Sequence, residues 1–305
     1  MIYTVTLNPS LDYLVHTDAL RPGRLCRTDS EALHPGGKGV NVSLVCAALG
    51  LPTRALGFIA GRTGALFASL LAETGVEYDF CHLDGGMTRI NVKVAAREQT
   101  ELNGTGPAIP PEALEKLAET LDTLGEGDWL VLSGSLPADV PADSYAKLLG
   151  HVRGRGVKTV VDAAGDALKN ALPCAPDLVA LGLRELDELI GGAPHSAAGI
   201  TACARELQQT GTHDVLIACD RGVVYTPQAG AGLFLTYAPG ETVQPVGMGS
   251  AMTAGWLYAQ ARGLSVPETL RWAVAAGCAA RSSPWLPDRA AIERALVKTG
   301  APHAV

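Results

Sequence analysis

The chain has 305 residues, 47% of them hydrophobic, and its 24 Lys and Arg against 31 Asp and Glu leave a net charge of −7. That length suits one large α/β domain with a small appendage. The acidic balance and the lack of a basic run argue against a nucleic-acid partner. With no apolar run of about 18 residues, no membrane span is expected.

Seven cysteines, at 26, 46, 81, 174, 203, 219 and 278, are scattered without C-x-x-C spacing. Such a set fits reduced thiols in a cytoplasmic protein and argues against a disulfide frame or structural zinc. The N-terminus enters a strand pattern directly, with no charged and apolar leader, so no signal peptide is expected.

Ile2–Leu7 reads as a buried strand. Asn8-Pro9 marks a turn, so Asp12 is expected just past a strand's C-terminal end, where ligands of open α/β sheets collect. The plainer reading makes Asp12 a turn cap. Leu14–His16 and Cys26–Leu33 read as a small β excursion. Then Pro35-Gly36-Gly37-Lys38-Gly39 precedes a helix over Val40–Leu49. Amides freed of side chains can wrap an anion, and Lys38 can add a point charge. Walker A spacing is absent, and an ordinary loop with an exposed lysine is the alternative.

Strand Thr53–Ile59 and helix Gly61–Thr74 follow, then strands Tyr78–Leu83 and Thr88–Ala95. In the last of these Arg89, Asn91 and Lys93 alternate, so they share one face. That face suits either a phosphate or plain solvent. Glu101-Leu102-Asn103-Gly104 closes the excursion.

From Pro111 the alternation is regular. Helices are expected over Pro111–Leu124, Ala142–Arg153, Leu183–Ile190 and Ala197–Gln209. The strands among them are Trp129–Leu132, Thr159–Asp162, Leu178–Leu181 and Asp214–Ala218. This means a mostly parallel, doubly wound sheet covered on both faces. After Val223–Thr226 and Leu233–Ala238 comes a second glycine nest, Gly247-Met248-Gly249-Ser250, within the stretch Pro245–Gly255. It opens a helix near Ala251–Arg262, followed by helices near Pro267–Ala280 and Ala290–Leu296. Such a turn is either an anion cradle at a helix N-terminus or a glycine turn capped by Ser250. Residues 1–305 read as one domain, with a β lid formed by insertions at about 12–34 and 77–104.

The motifs Asn8-Pro9-x-x-Asp12, Pro35-Gly36-Gly37-Lys38-Gly39-x-Asn41-Val42, Thr88-Arg89-x-Asn91-x-Lys93, Glu101-x-Asn103-Gly104 and Ser133-Gly134-Ser135-Leu136-Pro137 occur in that order. Together they resemble the ribokinase-like (PfkB) carbohydrate kinases, in the branch of 1-phosphofructokinase and tagatose-6-phosphate kinase. The resemblance covers nearly the whole chain. It implies a doubly wound α/β domain with a β-sheet lid, use of ATP and Mg²⁺, and γ-phosphoryl transfer to a hydroxyl of a hexose phosphate. It further implies that Asp12, Gly36, Gly37 and Asn41 hold the sugar, with Asn103 beside them. Lys38 and Arg89 would hold the phosphate already on the sugar. Gly182, Glu185, Cys219, Gly222, Gly247, Met248 and Gly249 would face the nucleotide, with Glu185 also near the metal. A homodimer through the lid is the expected assembly.

The chain also departs from the family pattern. Its Gly-Ala-Gly-Asp, whose Asp is the general base, is here Gly247-Met248-Gly249-Ser250. A carboxylate can accept the hydroxyl proton at neutral pH, whereas a serine needs another base to activate it. The family's Lys-Pro-Asn is here Ala180-Leu181-Gly182, and its Ser-x-Gly reads Ile217-Ala218-Cys219. The sugar half matches and the ATP half is eroded. Two readings follow: a hexose-phosphate kinase that is slow, or a non-catalytic sugar-phosphate binder acting as a sensor.

Overall fold

A computed structural model describes residues 1–238 and 247–305. Pro245 and Val246, the first two residues of the stretch that holds the second glycine nest, lie outside the described residues. The chain opens with β1 (Ile2–Thr6), β2 (Ser10–His16) and β3 (Ser30–Gly36), then α1 (Lys38–Ala48), β4 (Thr53–Ala60) and α2 (Gly61–Glu73). Strands β5 (Glu77–Leu83), β6 (Arg89–Ala95) and β7 (Gln99–Asn103) lead to α3 (Pro111–Leu121). The alternating part is β8 (Trp129–Ser133), α4 (Ser144–Val152), β9 (Lys158–Asp162), α5 (Gly165–Ala171), β10 (Leu178–Gly182), α6 (Leu183–Ile190), α7 (Ala197–Gln208) and β11 (Asp214–Cys219). It ends with β12 (Gly222–Thr226), β13 (Leu233–Thr236), α8 (Met248–Ala261), α9 (Val266–Arg281), α10 (Arg289–Lys298) and β14 (His303–Ala304).

Ten strands form the main sheet in the order β14-β13-β12-β11-β10-β9-β8-β1-β4-β5. From β11 to β5 every pairing is parallel, and β12, β13 and β14 add antiparallel. Alternate strand residues feed opposite layers, as the two-residue period requires. Leu130 and Leu132 join the core under α3–α7. Trp129 and Val131 join the core under α1 and α8–α10. The order of strands reverses between β1 and β8, so the carboxyl ends of these two strands frame the crevice where open α/β sheets bind ligands.

A second sheet, β3-β2-β6-β7, is the lid. Two expectations need correction. Strand β5, expected in the lid, pairs parallel with β4 as the edge of the main sheet. Asp12 does not sit in a turn: it lies inside β2, paired with Asn91 on β6 and His34 on β3. The Asn8-Pro9 turn sends the chain straight into the lid, so its strand starts earlier than the apolar pattern indicates.

Candidate active site

A cleft of about 1060 Å³ lies between the lid and the carboxyl ends of β1, β8, β9, β10 and β11. Two helix N-termini open into it. Helix α1 has Gly37 as N-cap, with φ 117, and α8 has Gly247, with φ 76. Both are left-handed conformations that an L side chain rarely adopts. Neither glycine has a side chain to cap its helix, so the first-turn amides have no acceptor within the helix and stand at the positive end of its dipole, the Val40 amide of α1 being taken by Thr6 Oγ1. Ser250, whose alternative reading was a cap, lies buried in the first turn of α8, and Gly247 is the N-cap. The two nests converge. A Cβ built on Gly247 would lie 3.6 Å from Asn41 Nδ2 and 2.5 Å from Leu286 Cδ2.

The upstream glycines have separate tasks. A Cβ at Gly36 would strike the Asp12 carboxyl at 2.6 Å. A Cβ at Gly39 would strike Thr6 Oγ1 at 2.5 Å, so its absence lets α1 start hard against the end of β1. There the Val40 amide donates to Thr6 Oγ1 at 3.1 Å.

On the lid, Arg89, Asn91 and Lys93 all turn into the cleft, and Asn91 and Lys93 are buried. This face is therefore no solvated edge. Asp12 is the acceptor they surround: Ser10 Oγ donates to it at 2.7 Å and Asn91 Nδ2 at 3.1 Å, and Lys93 Nζ pairs with it at 3.1 Å. Lys93 and Asp12 thus neutralise each other in a dry site, with hydrogen bonds fixing the carboxylate. Arg89 differs. Its Nη1 donates to the Gly104 carbonyl at 3.3 Å, its buried Nε has no partner, and no carboxylate pairs with it among the described residues. Burial pulls its pKa down, with Asp12 opposing. A guanidinium in that condition keeps donors that a carboxylate or phosphate could take in a bidentate fashion.

At the opposite end Lys38 Nζ lies 2.9 Å from Asp162 Oδ1 and 3.8 Å from Glu185 Oε1. Asp162 raises the Lys38 pKa against the effect of burial, with Glu185 adding to the rise. Lys38 thus points away from Arg89's side of the lid and toward α6. Asp162 is buried and also accepts from Ser133 Oγ at 3.1 Å. Glu185 caps α6, accepting from the Gly182 amide at 3.1 Å.

Every expected site residue except Gly36 and Gly222 lines this cleft. Gly36 backs Asp12. Gly222 packs against β13, where a Cβ would meet the Leu235 carbonyl at 2.2 Å, and its own carbonyl accepts from Cys219 Sγ at 3.2 Å. Asp162 and Ser133 were not singled out as site residues. The signal for Asp162 was present, a carboxylate at the C-terminal end of a buried parallel strand, the logic applied to Asp12. No cluster of three or more metal-ligating side chains occurs among the described residues.

Residues 6–285 match the profile of the pfkB family carbohydrate kinases. The chain belongs to that family. It is 36% identical over 281 residues to the 1-phosphofructokinase of Bacillus subtilis, covering 92% of each chain. To the D-tagatose-1-phosphate kinase of Bacillus licheniformis it is 34% identical over 290 residues, covering 94% and 95%. Escherichia coli phosphofructokinase-2 in complex with substrates and products superposes with a TM-score of 0.91 at 28% identity, covering 97% of this chain and 98% of that one. The ribokinase-like fold expected from the motifs is thus the fold observed, lid included.

Proposed function

We propose that this pfkB-family protein is an ATP-dependent kinase of a ketohexose phosphate, of the fructose 1-phosphate type, working without a carboxylate base. The observation that carries the sugar half is the half-buried Arg89, whose buried Nε has no partner, beside the fully dressed Asp12 on one lid face. Arg89, with Asn103 beside it, takes the phosphate already on the sugar, while Asp12, Gly37 and Asn41 orient its hydroxyls. A sugar without a phosphate would leave the buried Nε of that guanidinium unmatched.

The other half fits a nucleotide's phosphates. A Cβ added to Gly249 would meet nothing within 4 Å, so the first turn of α8 is open to an anion. Ala180, Leu181, Leu216 and Ala218 supply apolar walls beyond it. Mg·ATP, when bound, supplies the transferable phosphoryl group and the metal charge that neutralises it. Asp162 and Glu185 are the carboxylates at that end, and both already contact Lys38. They suit a metal carried on phosphate oxygens better than a dedicated cage.

Transfer rests on positioning and electrostatics, which this cleft retains. Losing the base removes a contribution of about 10²–10⁴-fold. The second reading, binding without transfer, is favoured by Ser250 together with the altered Ala180-Leu181-Gly182 corner. Cytoplasmic residence is proposed from the seven free thiols.

Calorimetry with fructose 1-phosphate tests the reading. Arg89→Ala is expected to weaken binding by about 10–100-fold, the value of a charge-assisted contact. Unchanged affinity would remove the phosphate pocket from the lid.

A further inference from the structure

The cleft has more cations than the sugar's own phosphate needs. Lys93 is spent on Asp12, at 3.1 Å, and Arg89 alone faces the lid side without a carboxylate. Arg184, on the rim, is bound to Glu188 with its side chain 89% exposed. That leaves Lys38. It is the first residue of α1, and its Cβ lies 3.7 Å from where a Cβ on Gly134 would be, so its stem starts beside the end of β8. From there the ammonium reaches Asp162 at the end of β9 and approaches Glu185 on α6.

Asp162 is itself held. Its side chain is 6% exposed, Ser133 Oγ donates to its second oxygen at 3.1 Å, and the Gly134 amide donates to its carbonyl at 2.9 Å. The Lys38 side chain is 43% exposed. An ammonium has three donors. One is fixed on Asp162, Glu185 stands at a loose 3.8 Å, and the remaining capacity faces the cleft.

We propose that Lys38 serves the nucleotide and not the sugar: its ammonium receives the terminal phosphate of a nucleoside triphosphate, and Asp162 is the positioning residue that aims it. This moves Lys38 from the role that the motif resemblance implies. It rests on the kinase reading above and deepens it. The lysine leaves its two carboxylates only in part, so the phosphate is met by a cation already turned toward it.

Calorimetry on the full chain separates the two assignments, with the magnesium complex of a non-hydrolysable ATP analogue and, separately, fructose 1-phosphate. Lys38→Met is expected to weaken the analogue by about 10–100-fold and to leave sugar-phosphate affinity within about threefold. Lys38→Arg keeps the charge and recovers part of the loss. Asp162→Asn is expected to weaken the analogue by about 10-fold and to leave sugar-phosphate affinity unchanged. A purely structural Asp162 would lower the melting temperature with the analogue's affinity unchanged. If Lys38→Met instead loses the sugar phosphate and keeps the analogue, the proposal is overturned while the kinase reading stands. If the wild type binds neither ligand, both fall.

Discussion

Asp12 shows how one residue's task depends on its neighbours. A carboxylate buried without partners is costly. Lys93, Asn91 and Ser10 supply the counter-charge and donors that orient it. His34, its cross-strand partner, stacks on Trp285 with ring centroids 4.3 Å apart and so ties the lid to the segment beside Gly247. Burial lowers the His34 pKa from 6.5, and Asp12 only partly opposes it. The unfolded chain therefore binds that proton more readily, and acid favours unfolding below about pH 6.5. The melting temperature is expected to fall between pH 7.5 and 5.5, and less in His34→Phe, which keeps the ring stack. An equal fall in both proteins would take His34 out of the account. Asp12 and Lys38 were legible as residues in the sequence, but their partners were not. Asp162 lies 124 positions from Lys38 and Asn91 lies 79 from Asp12, separations that only the folded sheets close.

Helix α8 carries the argument at the scale of elements. It begins at Met248, three residues before the apolar run indicates, because Gly247 takes the left-handed turn that starts it. Gly247→Ala adds a Cβ 2.5 Å from Leu286 at φ 76. The backbone term alone costs about 1–2 kcal/mol, read as a shift in denaturant midpoint with an unchanged slope. Nucleotide affinity should drop with it. A variant as stable as the wild type would mean that the turn relaxes freely. Strong periodicity made α6 legible to its exact ends, Leu183–Ile190. Helix α5 was missed because seven residues between Gly165 and Ala171 give too little periodicity. Strand β5 was placed in the wrong sheet because it directly precedes β6 in the chain, as a hairpin partner would; it pairs instead with β4 at the edge of the main sheet.

For the whole molecule, the pattern of alternating strands and helices was enough to specify the doubly wound sheet, and the crevice followed from the strand order. The lid was legible only as two excursions, since its pairing joins β2 to β6 across more than seventy residues. Its edge strands β3 and β7 pair with no further strand among the described residues, and Leu102 on β7 is 62% exposed. We propose that two copies cover this face in solution. Light scattering is expected to give a dimer mass for the wild type and a monomer mass for Leu102→Glu; a monomeric wild type would contradict this. No helix among the described residues is long and apolar enough to cross a membrane.

The central proposal is a sugar-phosphate kinase cleft in which Ser250 takes the place of a proton-abstracting carboxylate. ADP release with fructose 1-phosphate and Mg·ATP, compared between the wild type and Ser250→Asp, tests this most directly. The account predicts a gain of about 10²–10⁴-fold in turnover for Ser250→Asp, with both ligands still bound by the two proteins. No gain, with both ligands bound, would contradict it.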